Sequence, residues 1–295
     1  CMHYKESFSR KFFMVFNVIF LAFLALACLL PMINVLAVSF SSASAAQAGY
    51  VTFWPVQFNI ESYKYALGRP QFLTSMGVSI ERILLGGLIN MLLTILAAYP
   101  LSKDNSKFKF RTAYSWFFVV TMLVSGGLIP TFMVINYMGL MNTIWALVIP
   151  GALPVFNLIL LISFFRQLPV EMEEAAYIDG ASHWKILWQI YVPCSAPALA
   201  TLTLFVLVGH WNSWFDGLLY MNSPQHYPLQ SYLQTVVVQR DTTALSMEEY
   251  KQMALLSDRT IKASQVFMGA IPILLVYPFL QKYFVTGIML GSVKG

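Results

Sequence analysis

Residues 112–165 read TAYSWFFVVTMLVSGGLIPTFMVINYMGLMNTIWALVIPGALPVFNLILLISFF, a stretch without one Lys, Arg, Asp or Glu. A helix crosses the hydrocarbon core of a bilayer with about 20 apolar residues. The stretch is too long for one crossing and long enough for two. Pro130, Asn136, Gly139 and Asn142 punctuate its middle, and such residues favour turns. It divides into two predicted spans, about Thr112–Tyr137 and about Thr143–Phe165. The same reading extends outward. Phe12–Val38 is predicted as the first span and Thr74–Leu101 as the second. The uncharged stretch Ile186–Phe215 supplies a fifth, starting near Pro193, and Ala263–Gln281 a sixth. No alternation of period two over segments of about ten residues is present, which argues against an outer-membrane barrel.

Composition agrees. The 295 residues are 58% hydrophobic and only 11% charged, with a mean hydropathy of +0.66. Globular domains carry about 25% charged residues, so a soluble enzyme and a disordered chain are both excluded. Cys1, Cys28 and Cys194 show no C-x-x-C spacing, so neither a disulfide framework nor a zinc site is expected. The first span resembles a signal peptide in having Lys5, Arg10 and Lys11 before it and Ala46-Gln47-Ala48 after it. Its apolar run is about twice the usual signal core, so it is read as a retained span.

Positive charge in short loops marks the cytoplasmic side. Lys5, Arg10, Lys11, Lys103, Lys107, Lys109, Arg111, Arg166, Lys185, Lys282 and Lys294 fall on one side, mostly close to span ends. Lys64, Arg69, Arg82, Arg240, Lys251, Arg259 and Lys262 fall on the other, mostly in two longer segments. Both termini are therefore expected in the cytoplasm. The net charge of +5 is largely a topology signal.

The loop between spans four and five is the most informative. It runs from Leu168-Pro169 through Glu171, Glu173, Glu174, Ala175, Ala176, Asp179, Gly180 and Ala181 to Pro193. Pro169 can open a helix, and acidic residues just after it complement a helix N-terminus. Gly180 supplies a permissive turn. A second amphipathic stretch follows, with Trp184, Leu187 and Trp188 at i, i+3 and i+4. The reading is a short helix, a glycine turn and a second short helix at the membrane surface. A plain solvated acidic loop is the alternative that physics alone leaves open.

These residues carry a resemblance. Glu174-Ala175-Ala176, then Gly180, Ile190 and Pro193 at the family's spacing, match the EAA signature of bacterial ABC importer permeases. Asp179-Gly180-Ala181 matches its fuller form, and Val192 stands where Leu is commoner. The ending Gln281–Gly295 resembles the tail of maltose-permease-like carbohydrate importers, second subunit, in the LplC- or YtcP-like subgroup. The resemblance implies an all-α integral membrane protein of the type I ABC importer permease fold, with six transmembrane helices. It implies an N-terminal segment and first helix over residues 1–40 and an extracytoplasmic segment over 41–72. The transmembrane core would occupy 73–285, with a coupling loop at 168–193 and an extracytoplasmic loop at 222–259. Residues 286–295 would form a cytoplasmic tail. Glu174, Ala175, Ala176, Asp179, Gly180 and Ala181 would contact an ATP-binding subunit. Gly291, Val293, Lys294 and Gly295 would reach toward the interface of two such subunits. The implied partners are a paralogous permease, two ATP-binding subunits that use ATP and Mg, and an extracytoplasmic solute-binding protein delivering a sugar. Members of the subgroup are associated with acidic oligosaccharides, such as pectin- or alginate-derived fragments.

The division of labour is visible in the residues too. No G-x-x-x-x-G-K-[ST] occurs, so the chain has no phosphate-cradling loop of its own. No G-x-S-x-G or H-E-x-x-H occurs, and His3, His183, His210 and His226 are scattered. A transport subunit rather than an enzyme is expected, with no cofactor or metal held by this chain. A secondary transporter would need inverted repeats with interrupted helices, and none is evident. The same fold with a non-sugar cargo is the nearer alternative.

Polar groups at membrane depth usually face a bundle interior or a cavity. On span five these are His210, Trp211, Asn212 and Asp216. At 100° per residue on one helix, Asn212 and Asp216 share a face. They are read, with Trp211, as lining the substrate pathway, against the alternative of an interfacial aromatic belt. Glu81 and Arg82 are read as pairing or lip residues, and Gly126-Gly127 with Pro130 as a site of close helix approach or a kink.

Overall fold

The structure is a computed structural model that describes residues 8–237 and 257–292. Among the described residues every regular element is helical and no strand occurs. Lys5, Arg240, Lys251 and half of the loop predicted as extracytoplasmic, residues 238–256, lie outside them, as do Val293, Lys294 and Gly295.

The chain divides into two compact units, residues 1–69 with 236–270 and residues 70–235 with 271–295. The first contains α1 (Phe8–Ser39), α2 (Ala43–Gln47) and α3 (Glu61–Leu67). Apolar side chains are exposed on all sides of α1 from Phe12 to Met32. A helix apolar all round belongs in lipid or against another protein. Only its end packs within the unit, where Ala37 and Val38 meet Ala45, Ala46, Val51 and Ala263. Ser62 donates to Thr260 at 2.9 Å, and Arg259 donates to the Ala46 carbonyl at 3.1 Å. These bonds tie the segment after α1 to the start of the last helix.

The second unit is built on α4 (Pro70–Ser102), with Pro70 at its first position, where a missing N–H costs nothing. It continues with α5 (Arg111–Leu123), α6 (Leu128–Tyr137), α7 (Ile144–Val148), α8 (Val155–Phe165) and α9 (Val170–Ile178). Then come α10 (His183–Ile186), a π-helical turn (Leu187–Tyr191), α11 (Val192–Cys194), α12 (Ala196–Asn212), α13 (Phe215–Tyr220) and α14 (Leu229–Val237). The last helix, α15 (Asp258–Ser292), begins in the first unit and continues through the second. Helix α4 packs against α8 and α12 around Ile95, Ala98, Leu158, Leu161, Phe165 and Leu202.

Three helical segments are long and apolar enough to cross a membrane, Ser9–Ser39, Pro70–Ser102 and Asp258–Val276. The other predicted spans are not continuous helices. The third breaks between α5 and α6 with a 111° bend, at Val124–Gly127, where Gly127 takes φ +86°. The kink expected at Gly126-Gly127 is therefore present. The fourth is divided between α7 and α8. The fifth is bent by 82° before α12 and ends at Asn212. Gly139 (φ +68°) and Asn142 (φ +62°) make the turn that separates α6 from α7. Residues 286–292, expected to begin a tail, continue α15, so Gly291 is helical.

Candidate coupling surface and buried polar cluster

Helix α9 and the turn after it form the predicted helix–turn–helix. Pro169 caps α9, and Glu171 and Glu173 occupy its first turn. Gly180 has φ +73°, a left-handed backbone that glycine adopts without steric cost. Ala181 N–H bonds back to the Ala176 carbonyl at 2.9 Å, and Gly180 N–H to that of Tyr177 at 3.0 Å. Ser182 then caps α10 by accepting from Lys185 N–H.

The two faces of α9 differ. Glu171, Glu174, Ala175, Ile178 and Asp179 are exposed. Ala176 and Ala181 instead pack against the helix core around Phe165 and Leu187. Ala176 was expected on an external docking face, but it turns inward, because positions 173, 176 and 177 share one side of a 3.6-residue helix. The second stretch also departs from expectation. Ile186 and Leu187 are buried while Trp184 and Trp188 are exposed. The buried side is centred on Ile186 and Leu187, so Trp184, Leu187 and Trp188 do not form one stripe.

Glu173 is the residue that the sequence left unassigned. It is 4% exposed. Its Oε2 accepts from Lys103 Nζ at 2.8 Å and from the Tyr191 hydroxyl at 2.7 Å. Lys107 Nζ lies 3.5 Å from Oε1. Lys103 also donates to Tyr191 at 2.7 Å and rests over the rings of Tyr99 and Tyr191. Burial alone would raise the Glu173 carboxyl, but the bonds from Lys103 and Tyr191 and the charge of Lys107 outweigh it and hold it at about 2. A carboxyl depressed in this way contributes stability above its unfolded value, and loses it as pH falls through the folded one. We expect α9 to stay anchored from neutral pH down to about 4.5 and to detach between there and about 2. Hydrogen exchange of α9 amides against pH measures this, and protection lost already near pH 6 would contradict it.

A second polar cluster joins α4, α12 and α13. Arg82, Gly86 and Asn90 recur every four residues on one face of α4. Arg82 is 3% exposed and grips the Asp216 carboxylate with both terminal nitrogens, Nη1 at 3.1 Å and Nη2 in closer contact. Its Nε donates to His210 Nδ1 at 3.4 Å, and Nη2 to the Leu147 carbonyl at 3.4 Å. With Nδ1 accepting, His210 is assigned the tautomer whose Nε2–H donates to Asn90 Oδ1 at 2.8 Å. The Asn90 amide donates in turn to the carbonyls of Gly151 and Ala152, both at 2.8 Å. Those carbonyls belong to the irregular segment between α7 and α8, where unpaired backbone in an apolar setting is costly. Gly86 makes the room, since a Cβ there would stand 2.6 Å from the His210 ring.

The expectation that Asn212 and Asp216 share a face of one helix fails. Ser213 is extended (φ −73°, ψ 122°), so α12 ends at Asn212 and Asp216 belongs to α13. Asn212 is exposed, whereas Asp216 is held by Arg82, Ser213 and its neighbouring Gly217 N–H. Trp211 is 4% exposed and lines a wholly apolar cavity of about 190 Å³ with Ile80, Leu84, Leu207 and Pro272. The three residues read as one pathway therefore have three different surroundings. The pairing reading of Arg82 stands, while Glu81 is exposed. Among the described residues no cluster of His, Cys, Asp and Glu could hold a metal ion.

Residues 3–289 match the family described as binding-protein-dependent transport system inner membrane component. The chain is similar to Protein LplC of Bacillus subtilis (strain 168), at 41% identity over 97% of this chain and 96% of that one. It is also similar to the polygalacturonan/rhamnogalacturonan transport system permease protein YtcP of the same organism, at 38% identity over 94% and 96%. Among solved structures it resembles a chain of a bacterial ABC transporter involved in the import of the acidic polysaccharide alginate. The TM-score there is 0.88 and the identity 31%, over 95% of this chain and 99% of that one.

Proposed function

The chain belongs to the inner membrane components of binding-protein-dependent transport systems, and from that premise we propose that it carries an acidic oligosaccharide through a pathway shared with a paralogous permease. It is a non-catalytic, multi-pass membrane subunit of an ABC importer. Two ATP-binding subunits supply the energy with ATP and Mg, and a solute-binding protein supplies the sugar. The observation that carries the coupling part is the two-faced α9, which exposes Glu174, Ala175 and Ile178 while its other face is bonded into the helix core. The exposed residues, with Asp179 and Gly180, form the ATPase contact. The named cargoes of two similar transporters, a polygalacturonan and alginate, support an acidic sugar.

We place six crossings in the membrane, with both termini on the ATPase side. Three long helices stand alone, and α5 with α6, α7 with α8, and α12 supply the other three, which leaves α9 outside the crossings. Gly291, Val293, Lys294 and Gly295 contact the ATPase pair. Deleting Ser292–Gly295 is expected to leave insertion intact and to lower stimulated ATP hydrolysis. Unchanged stimulation would mark the end as an unattached terminus. The reading as a whole is tested by purifying the complex and measuring uptake of labelled oligogalacturonate, alginate oligomers and a neutral maltooligosaccharide. Co-purification of an ATPase with preference for the uronates is expected. Preference for the neutral sugar would overturn the cargo, and absence of an ATPase would overturn the coupling role.

A further inference from the structure

Glu173 is bonded to parts of the chain that are far apart in sequence. Lys103 directly follows the last residue of α4, and Tyr191 closes the π-helical turn that leads toward α12. Tyr191 also meets Phe165, the last residue of α8, edge to face at 5.2 Å between ring centroids, and Tyr99 of α4 at 5.1 Å. One carboxylate on α9 thus holds the ends of α4 and of the entry to α12, with the end of α8 packed alongside. Both Lys103 and Glu173 are buried, so the pair is shielded from water and salt, unlike a surface ion pair. Bonds of a carboxylate to an ammonium and a hydroxyl are directional and short, so they resist sliding where an apolar contact would not. A π-helical turn at this place is itself an irregularity often found where helices serve a function.

We propose that the Lys103–Glu173–Tyr191 node is the strut through which displacement of α9 reaches α4 and α12, which makes Glu173 a positioning residue for coupling and not part of the docking face. The inference rests on the coupling role of α9 proposed above and adds where the motion goes next. The outward face receives the push, and the inward node converts it into movement of helix ends that belong to one packed core. Without the node, α9 keeps its ATPase contact, but its displacement is taken up by the 166–169 and 179–182 connections.

The test uses the complete complex in nanodiscs, with oligogalacturonate-loaded solute-binding protein as the stimulus. The double variant Glu173→Gln/Lys103→Gln removes both charges together, so neither is left buried and unpaired. We expect it to co-purify with the ATPase as wild type does. The ratio of stimulated to basal ATP hydrolysis should fall by about tenfold or more, the scale of a typical coupling between sites. Tyr191→Phe leaves the ion pair in place and removes one hydroxyl, and should lower the same ratio by about fivefold. Stimulation by both variants within about twofold of wild type would overturn the strut, because the node would then serve local stability alone. Loss of ATPase co-purification in the double variant would also overturn it, by placing Glu173 in docking. Failure of the wild-type complex to contain an ATPase would instead remove the coupling reading beneath it.

Discussion

Replacing Gly180 with Val is expected to leave a membrane-inserted protein whose solute uptake falls by roughly five- to thirtyfold, while Gly180→Asn keeps most of it. The reason is backbone rather than space. A Cβ at Gly180 would meet nothing within 4 Å, yet φ is +73°. A left-handed backbone costs an ordinary residue about 1–2 kcal/mol, and a β-branched one is least able to adopt it. Asn visits that region far more readily. The strained turn relaxes by rotating α10 away from α9, which breaks the bonds from Gly180 and Ala181 N–H to the Tyr177 and Ala176 carbonyls. Ala176→Trp should act from the other side. Ala176 packs against the helix core, so bulk there lifts α9 off the spans, and overpacking of this kind costs about 1–3 kcal/mol. Uptake in vesicles, with ATPase co-purification alongside, reads both. Equal uptake by Gly180→Val and Gly180→Asn would show that the turn geometry does not matter.

The largest effect on stability is expected at Arg82. Arg82→Met strips Asp216 of its cationic partner and removes the bonds to His210 Nδ1 and the Leu147 carbonyl. Breaking a fully buried pair by removing one side costs about 3–5 kcal/mol, and the cost here falls toward the lower end because Asp216 is partly exposed. Arg82→Lys should recover only part of this, because an ammonium cannot reproduce the fork that grips Asp216 while also reaching His210. Arg82→Met/Asp216→Leu removes both charges and should recover more than Lys does. Thermal unfolding of the detergent-purified complex, with Asp216→Leu as the other single variant, measures the set as a double-mutant cycle. Additive single effects would show that Arg82 and Asp216 do not act together.

The apolar spans were legible because charge is excluded from hydrocarbon, so gaps between Lys, Arg, Asp and Glu locate them directly. The breaks inside the spans were less so. Gly126-Gly127 announced one, but Ser213 and Trp214 carry no such mark, and no Gly or Pro stands between His210 and Asp216. Asn212 and Asp216 were placed on a common face by a helical wheel, and a wheel holds only while the helix continues. Arg82 could be read as a pairing residue from the cost of a charge at that depth. Its partner could not be identified, because Asp216 had been assigned to the pathway. The EAA loop was legible as helix, turn and helix from Pro169, the acidic first turn and Gly180. Which face of it turns inward was not. Three carboxylates, Glu171, Glu173 and Glu174, stand within four positions, and choosing among them requires the location of Lys103 and Tyr191.

The claim on which the rest depends is that α9 presents one face to an ATP-binding subunit and the other to its own spans. Photo-crosslinking from single positions tests it directly, with a benzophenone side chain placed at Ile178 of α9, 86% exposed, or at Ile186 of α10, fully buried in the core against which the inner face of α9 packs. In complexes assembled in the membrane, the account predicts an adduct with the ATP-binding subunit from Ile178 and only intramolecular products from Ile186. An ATPase adduct from Ile186, or none from Ile178, would contradict it.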